Sequence, residues 1–213
     1  MSSELITHAV GIFMGFFALM NPIANTAIFT SSTANMTSTE KRQTALSATR
    51  TTFGIIFLFC ILGKGIFEVF GISLPAMRVT GGILVFLVGF KMVNGEKSSM
   101  HHMSETEKSA PINKDIAISP LAMPILAGPG TIATAMNNTA SGEFSEVVIT
   151  VVGFALLCLI TFFCFVYGER IINKLGHTGL QLISRLMGLI IAVVGIEMLL
   201  HGIFSAYQLY FNK

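Results

Sequence analysis

Two prolines interrupt apolar stretches that are otherwise long enough to cross a membrane. Pro22 follows Asn21 in the first stretch, and Pro129 follows Gly128 in the fourth, 107 residues further along the chain. The same offset relates two more pairs of residues, Arg78 to Arg185 and Gly81 to Gly188. Duplicated chains with broken helices at equivalent positions are typical of secondary transporters, whose substrate site lies near mid-membrane. The pattern therefore favours a duplicated membrane fold and makes transport the first functional hypothesis.

The composition is that of a membrane protein rather than a soluble domain. Hydrophobic residues make up 53% of the chain and charged residues 11%, against about 25% charged residues in an average soluble domain. The formal net charge is only +2, whereas a nucleic-acid-binding surface needs clustered lysine and arginine. We therefore expect the lipid bilayer as the main partner and no nucleic-acid partner.

Six stretches approach the roughly 20 residues that a membrane-spanning helix requires. They cover residues 7–31, 46–70, 73–93, 116–138, 146–168 and 182–204. A longer polar segment, residues 94–115, separates the first three stretches from the last three. The sequence predicts a single all-α membrane domain with six transmembrane helices. Its parts are a first three-helix repeat over residues 1–93, a linker over 94–115 and a second repeat over 116–213.

Lysine and arginine fall mostly on one side of the six predicted spans. Ten of the 13 lie on the side of the linker, and three, Lys64, Arg78 and Lys213, lie on the other side. Because basic loops favour the cytoplasm, the linker side is predicted to be cytoplasmic and both termini to face outward. Three spans per repeat invert the second half relative to the first, about a pseudo-two-fold axis in the membrane plane.

Each proline predicts a helix break inside the membrane. Proline has no N–H group and clashes with the carbonyl four residues earlier, and the residue before it is disfavoured in the helical region. A short half-helix therefore begins at each break, and its unpaired amides attract negative charge. Because the repeats are inverted, the two positive helix ends are expected to meet near the midplane, in a cavity that suits a small zwitterion.

Small residues and uncharged hydrogen-bonding groups surround both breaks. The candidate substrate-binding residues are Asn21, Pro22, Asn25, Thr26, Gly128, Pro129, Gly130, Thr131 and Thr134. Kinks at proline are common in packed membrane helices, so a purely structural role of the two prolines is the alternative. Two breaks at equivalent positions favour a binding site over two unrelated kinks.

Charged residues also fall inside the apolar stretches, where they are costly and often functional. They include Arg78, Lys91, Arg185 and Glu197. Long arginine and lysine side chains reach the interface from near helix ends, which makes a structural role the simpler interpretation for them. Glu197 reaches less far and is the candidate for proton coupling or for packing.

Other chemistries have little support. No catalytic Ser-His-Asp set, P-loop or dinucleotide fingerprint is present, so neither ATP-driven transport nor an enzymatic activity is expected. The three cysteines lie in apolar runs without a CxxC pair, which argues against a zinc or redox site. His101 and His102 lie in the polar linker, where histidines are ordinarily solvated. We expect no cofactor and no bound metal.

Five segments of the chain are distinctive: residues 18–25 (ALMNPIAN), 70–75 (FGISLP), 78–84 (RVTGGIL), 120–131 (PLAMPILAGPGT) and 185–188 (RLMG). Together they resemble the MarC family of bacterial inner-membrane proteins. The family is placed with LysE-type exporters, and some members transport small neutral amino acids such as glycine or alanine. The resemblance covers essentially the whole chain. It implies a bacterial inner-membrane location, in which the outward-facing termini predicted from the charge bias would be periplasmic. It also implies a small-molecule substrate and a site at the Asn-Pro and Gly-Pro-Gly-Thr segments.

We therefore expect a secondary transporter for small neutral amino acids that works by alternating access. A channel for small solutes is the first alternative, because aquaporin-like pores also use half-helices that meet inside the membrane. Against it, the first break reads Asn-Pro-Ile and no pair of Asn-Pro-Ala repeats exists. A non-transporting membrane scaffold, in which the breaks serve packing, is the second alternative. Homo-oligomerisation is compatible with all three.

Overall fold

The computed structural model describes residues 2–95, 126–140 and 143–211, and all regular structure in these ranges is helical. In chain order the helices are α1 (Ser2–Met20), α2 (Pro22–Ser32), α3 (Ser38–Phe70), α4 (Leu74–Val93), α5 (Pro129–Thr139), α6 (Phe144–Val166) and α7 (Gly168–Phe211). The predicted all-α class is confirmed. Most of the predicted linker, with His101 and His102, lies outside the described residues.

Five stretches of the described helices are long and apolar enough to cross a membrane. They are Leu5–Ser32, Ser38–Gly63, Leu74–Val93, Phe144–Val166 and Thr178–Leu209. Each overlaps one predicted span, and the first contains most of α1 and all of α2. The fourth predicted span, residues 116–138, is described only from residue 126 onward, where α5 forms its second half. The number six therefore stays a prediction.

The first proline break lies where the sequence predicts it, between α1 and α2. Asn21 adopts φ 39° and ψ 67°, in the left-handed region, which asparagine tolerates better than most residues do. Its Oδ1 atom accepts a hydrogen bond from the backbone N–H of Ala24 at 3.3 Å. Asn21 is thus the N-cap of α2, and Pro22 takes the first helical position, where its missing N–H costs no hydrogen bond.

Helices α4 and α7 pack with their backbones in contact. A Cβ atom placed on Gly82 would lie 2.7 Å from the carbonyl oxygen of Gly195, and one on Gly89 would lie 2.6 Å from that of Gly188. Because residue numbers rise along one helix as they fall along the other, the two helices run antiparallel. Glycines seven residues apart on each facing surface let the backbones approach this closely.

Aromatic pairs fill the interior between the first and second halves of the chain. The ring of Phe16 in α1 meets that of Phe154 in α6 edge-on, with centroids 5.1 Å apart. Phe29 in α2 stacks on Phe165 in α6, with centroids 4.4 Å apart and planes 6° from parallel. All four side chains are buried, so these contacts hold α1 and α2 against α6.

The two half-helices pack reciprocally. Helix α2, from the first half of the chain, packs against α6 and α7 of the second half. Helix α5, from the second half, packs against α3 and α4 of the first half. Each half-helix is therefore held by the last two long helices of the opposite half.

Candidate substrate site at the broken helices

Helix α5 runs antiparallel to α4. At its beginning, a Cβ atom placed on Gly130 would lie 3.6 Å from Cγ2 of Val85, near the middle of α4. Near its end, Oδ1 of Asn137 accepts a hydrogen bond of 2.9 Å from Nε of Arg78, in the second turn of α4. Helix α5 therefore starts at the mid-level of the molecule and ends at the level where α4 begins.

Helix α2 runs against the chain direction of α7, which consists of two helical segments joined by a kink at Gly176 (φ 66°, ψ 171°). Nδ2 of Asn21, at its beginning, lies 3.4 Å from Oγ of Ser184 in α7. Near its end, Oγ1 of Thr30 lies 2.6 Å from where a Cβ atom on Gly168 would be. Because α4 and α7 are themselves antiparallel, α2 and α5 point in opposite directions.

The beginnings of the two half-helices lie next to each other. A Cβ atom placed on Gly130 would lie 3.4 Å from Cδ2 of Leu19, two residues before the first break. Asn21 and Thr131 are each 4% exposed. Pro22, Gly128 and Gly130 are buried as well, whereas Pro129 is exposed. The structure thus brings the residues of both breaks together in one buried region.

At the first break, the polar side chains bind the protein's own backbone. Nδ2 of Asn25 donates a hydrogen bond of 2.6 Å to the carbonyl of Met20, at the end of α1. Oγ1 of Thr26 donates one of 2.7 Å to the carbonyl of Pro22. The Asn25 bond thus gives the carbonyl at the end of α1 a partner, and the Thr26 bond lies within the first turn of α2.

At the second break, the start of α5 is left without such a cap. Gly128 has no side chain to bind the first amides, and Pro129 has no N–H. The first helical hydrogen bond runs from the N–H of Ile132 to the carbonyl of Gly128, at 3.0 Å. The N–H groups of Gly130 and Thr131 precede it, and no acceptor for them lies in the described part of the chain.

A buried hydroxyl lies on the same face, one turn further along α5. Thr134 is 7% exposed, and its Oγ1 atom has no hydrogen-bond partner within the described ranges. Residues three apart on a helix are neighbours, so this hydroxyl is close to Thr131. A buried polar group without a partner costs about 1–3 kcal/mol. The Thr134 hydroxyl is therefore a candidate partner for a polar ligand atom. Thr150 in α6 has the same property and is not one of the residues at the two breaks.

The charged residues inside the spans lie around the site rather than in it. Arg78 joins α4 to α5 through Asn137. The Arg185 guanidinium lies against the turn after α4, with Nη2 3.0 Å from where a Cβ atom on Gly95 would be. Glu197 is exposed on α7. It shares its face of the helix with Val193 and Leu200, two apolar residues that are each 59% exposed. The two arginines thus join helix ends, and Glu197 faces outward.

Sequence reasoning missed a polar pocket at one end of the molecule. Helices α2 and α6 end there and α3 and α7 begin there; we call this end the basic face. The pocket has a volume of about 350 Å³ and contains three cationic side chains, those of Lys41, Arg42 and Arg170. Their clustering was not visible in the sequence because α3 and α7 lie far apart along the chain.

Comparison with known proteins gives one family. The MarC family model, described as an integral membrane protein family, matches residues 6–207. The UPF0056 membrane protein YvbG of Bacillus subtilis is 38% identical, over 93% of this chain and 95% of that protein. The UPF0056 membrane protein PH0760 of Pyrococcus horikoshii is 31% identical, over 96% of this chain and 98% of that protein. YhcE of Escherichia coli K12, another UPF0056 membrane protein, is 32% identical, over 90% of this chain and 89% of that protein. No solved structure matches significantly.

Proposed function

Because the chain belongs to the MarC family of integral membrane proteins, we propose that it is a secondary transporter of small neutral amino acids. Its substrate site is the buried region where α2 and α5 begin. Family membership makes the chain a multi-pass membrane protein with bacterial relatives. Substrate, transport and the role of each site residue are the proposed part.

The observation that carries the proposal is a set of polar groups at the start of α5 that have no partner among the described residues. Two backbone N–H groups, of Gly130 and Thr131, and the hydroxyl of Thr134 lie together in a buried region. The positive end of a helix attracts an anion, and its free amides bind one directly. An amino-acid carboxylate matches both the charge and the number of donors. The absence of a side chain at Gly130 lets the carboxylate approach the backbone.

The first break supplies a hydrogen-bond acceptor for the other end of the amino acid. Pro22 has no N–H, so the carbonyl of Ala18 receives no helical hydrogen bond. Leu19, the next residue, contacts Gly130, so this carbonyl lies in the same region as the start of α5. A carbonyl oxygen is an acceptor for the ammonium group of the same amino acid. The zwitterion would therefore lie between the end of α1 and the start of α5.

We also propose that six transmembrane helices form two inverted three-helix repeats, residues 1–93 and 116–213, joined by the linker over 94–115. Under the 107-residue offset α4 corresponds to α7, and an inverted repeat requires such a pair to be antiparallel. The reciprocal packing of α2 and α5 supports the same relation. Rocking of one repeat against the other would open the site to each side in turn.

The basic face is proposed to be cytoplasmic and both termini periplasmic, in a bacterial inner membrane. Arg78 and Arg185 are assigned structural roles at helix ends. Glu197 stays the candidate for proton coupling or for packing, now on an outward face. Transport requires no chemical step, so we assign neither a catalytic residue nor a cofactor.

Uptake by purified protein in liposomes tests the proposal. With radiolabelled glycine, alanine and serine as a panel, we expect uptake that saturates with concentration and shows counterflow. Flux that rises linearly without saturation would indicate a channel instead. If no amino acid crosses and none raises the melting temperature of the protein, the breaks serve packing and the protein is a scaffold.

A further inference from the structure

The pocket at the basic face is a second candidate site, at the opposite end of α2 from the first proline break. Its volume, about 350 Å³, is within the range of about 300–1,000 Å³ that small-molecule sites occupy. Its floor is the stacked pair Phe29 and Phe165, and Val166 continues the apolar side. A ligand in this pocket would therefore contact both apolar surface and charge.

The charge of the pocket is positive. Lys41 and Arg42 come from the first turns of α3, and Arg170 comes from the first turn of α7. Nζ of Lys41 donates a hydrogen bond of 2.6 Å to Oε1 of Glu169. This contact holds the pKa of the Glu169 carboxyl below its ordinary value. Within the described chain, no carboxylate forms an ion pair with Arg42 or Arg170.

One of the two guanidinium groups lies over an aromatic ring. The Cζ atom of Arg170 lies 5.5 Å from the centroid of the Tyr167 ring, which is within the range of a cation–π contact. A guanidinium stacked on a ring keeps its N–H groups free at the edge. That edge forms a planar fork that fits two oxygens of a phosphate group.

Hydroxyl groups complete the polar wall. Thr30, Ser38 and Tyr167, each of which carries a hydroxyl, line the pocket. The proton of the Thr33 hydroxyl is used elsewhere, since its Oγ1 donates to the carbonyl of Phe29 at 2.8 Å. Two guanidinium groups and several hydroxyls suit an anion with more than two oxygens.

The depth of the pocket matches that of lipid headgroups. It lies where the spans Leu5–Ser32 and Phe144–Val166 end and Ser38–Gly63 begins. Basic pockets between helices at the cytoplasmic level recruit phosphate headgroups of anionic lipids. The apolar floor would contact the upper part of an acyl chain or the glycerol.

We propose that this pocket binds a phosphate-bearing anion, with Arg42 and Arg170 as the phosphate ligands. Two sources have this chemistry: the headgroup of an anionic phospholipid and a soluble phosphate compound. In either case the Lys41–Glu169 pair forms the rim, and the bound phosphate joins α3 to the beginning of α7. The proposal does not depend on transport, because none of its residues lies at the two proline breaks.

The test is binding of phosphatidylglycerol and of inorganic phosphate to the purified, full-length protein. Native mass spectrometry measures retained lipid. The melting temperature is followed during titration with each ligand, with phosphatidylcholine and sodium chloride of equal ionic strength as the control additions. For wild type we expect a melting-temperature increase with at least one of the two phosphate ligands. An increase with phosphatidylglycerol alone assigns the site to lipid, and an increase with inorganic phosphate in the absence of lipid assigns it to a soluble ligand.

The double variant Arg42→Gln/Arg170→Gln should weaken binding of that ligand about tenfold or more, because two charge-assisted hydrogen-bonding groups are lost. Arg50→Gln is the matched control, since Arg50 is an exposed arginine of α3 outside the pocket. Arg42→Lys keeps the charge but not the planar fork, and we expect it to reduce the affinity several-fold. This single variant replaces the double variant in the test if the double variant does not fold. Equal binding by wild type and the pocket variants, or equal loss in Arg50→Gln, would overturn the proposal. The proposal would also be overturned if neither phosphate ligand raised the melting temperature of wild type more than its control addition, phosphatidylcholine or sodium chloride, does.

Discussion

At the scale of single residues, Asn21 shows how a break is stabilised within the membrane. It occupies the left-handed region and also caps α2. Asn21→Gly should cost only a few tenths of a kcal/mol, because glycine adopts this conformation and is a tolerable N-cap. Asn21→Ala should cost about 1–3 kcal/mol, since it loses the cap and strains the backbone as well. Unfolding of both variants in detergent measures the difference, and equal stability would show that neither feature matters.

The Lys41–Glu169 pair gives a prediction about pH. The pKa of Glu169 is lowered in the folded protein by the hydrogen bond and charge of Lys41. The pair therefore stabilises the fold above the ordinary carboxyl pKa of 4.5, and this contribution is lost as the pH falls through the lowered value. A double-mutant cycle with Lys41→Met and Glu169→Gln should show a small favourable coupling at pH 7 and none well below the folded pKa. Coupling that does not change with pH would contradict this assignment.

At the scale of elements, the contact between α4 and α7 depends on glycine. Gly82→Ala should destabilise the protein by about 1–3 kcal/mol, the usual cost of overpacking, because its Cβ atom would meet the backbone of Gly195. Gly153→Ala in α6 is the control, since a Cβ atom there meets nothing within 4 Å. Alanine favours helix over glycine by up to about 1 kcal/mol, so the control should be neutral or stabilised. If thermal unfolding gives both variants the same stability, the backbones of α4 and α7 are not in contact at Gly82.

Elements also show what the sequence could and could not predict. The break before α2 could be predicted because proline acts locally, through its own missing N–H. The start of α3 could not be predicted from hydropathy, because its first turns are polar and extend beyond the span. The capping interaction between Thr37 and Glu40 was the available signal. The repeated seven-residue glycine spacing was also visible in the sequence, but only the structure pairs Gly82 with Gly195.

The proposed substrate site was also predictable only in part. Both breaks were predicted to supply free polar groups, yet the side chains of Asn25 and Thr26 bind the backbone of their own break. Hydrogen bonding of this kind depends on rotamers that a sequence does not reveal. The phosphate pocket joins Lys41 to a carboxylate 128 residues away, and such proximity follows from tertiary packing alone.

At the scale of the whole molecule, the proposed orientation predicts which positions are accessible from outside a cell. Ser38→Cys lies at the basic face, and Ser145→Cys lies at the beginning of α6, at the opposite end; both residues are exposed. In a background without the three native cysteines, a membrane-impermeant thiol reagent applied to intact cells should label Ser145→Cys and not Ser38→Cys. The reverse pattern would place the basic face outside and contradict the orientation.

The proposed function of the whole molecule depends on one claim, that a substrate carboxylate binds at the start of α5. Equilibrium binding of radiolabelled alanine or glycine to wild type, Thr134→Val and Thr150→Val tests it most directly. Both variants remove a buried hydroxyl that has no partner in the described chain, so their effects on folding should be alike. We predict saturable binding by wild type and by Thr150→Val. Thr134→Val should bind about tenfold more weakly, since a hydrogen bond to a charged group is worth about 1.5–3 kcal/mol. Wild-type affinity in Thr134→Val, or the same loss in Thr150→Val, would contradict the claim.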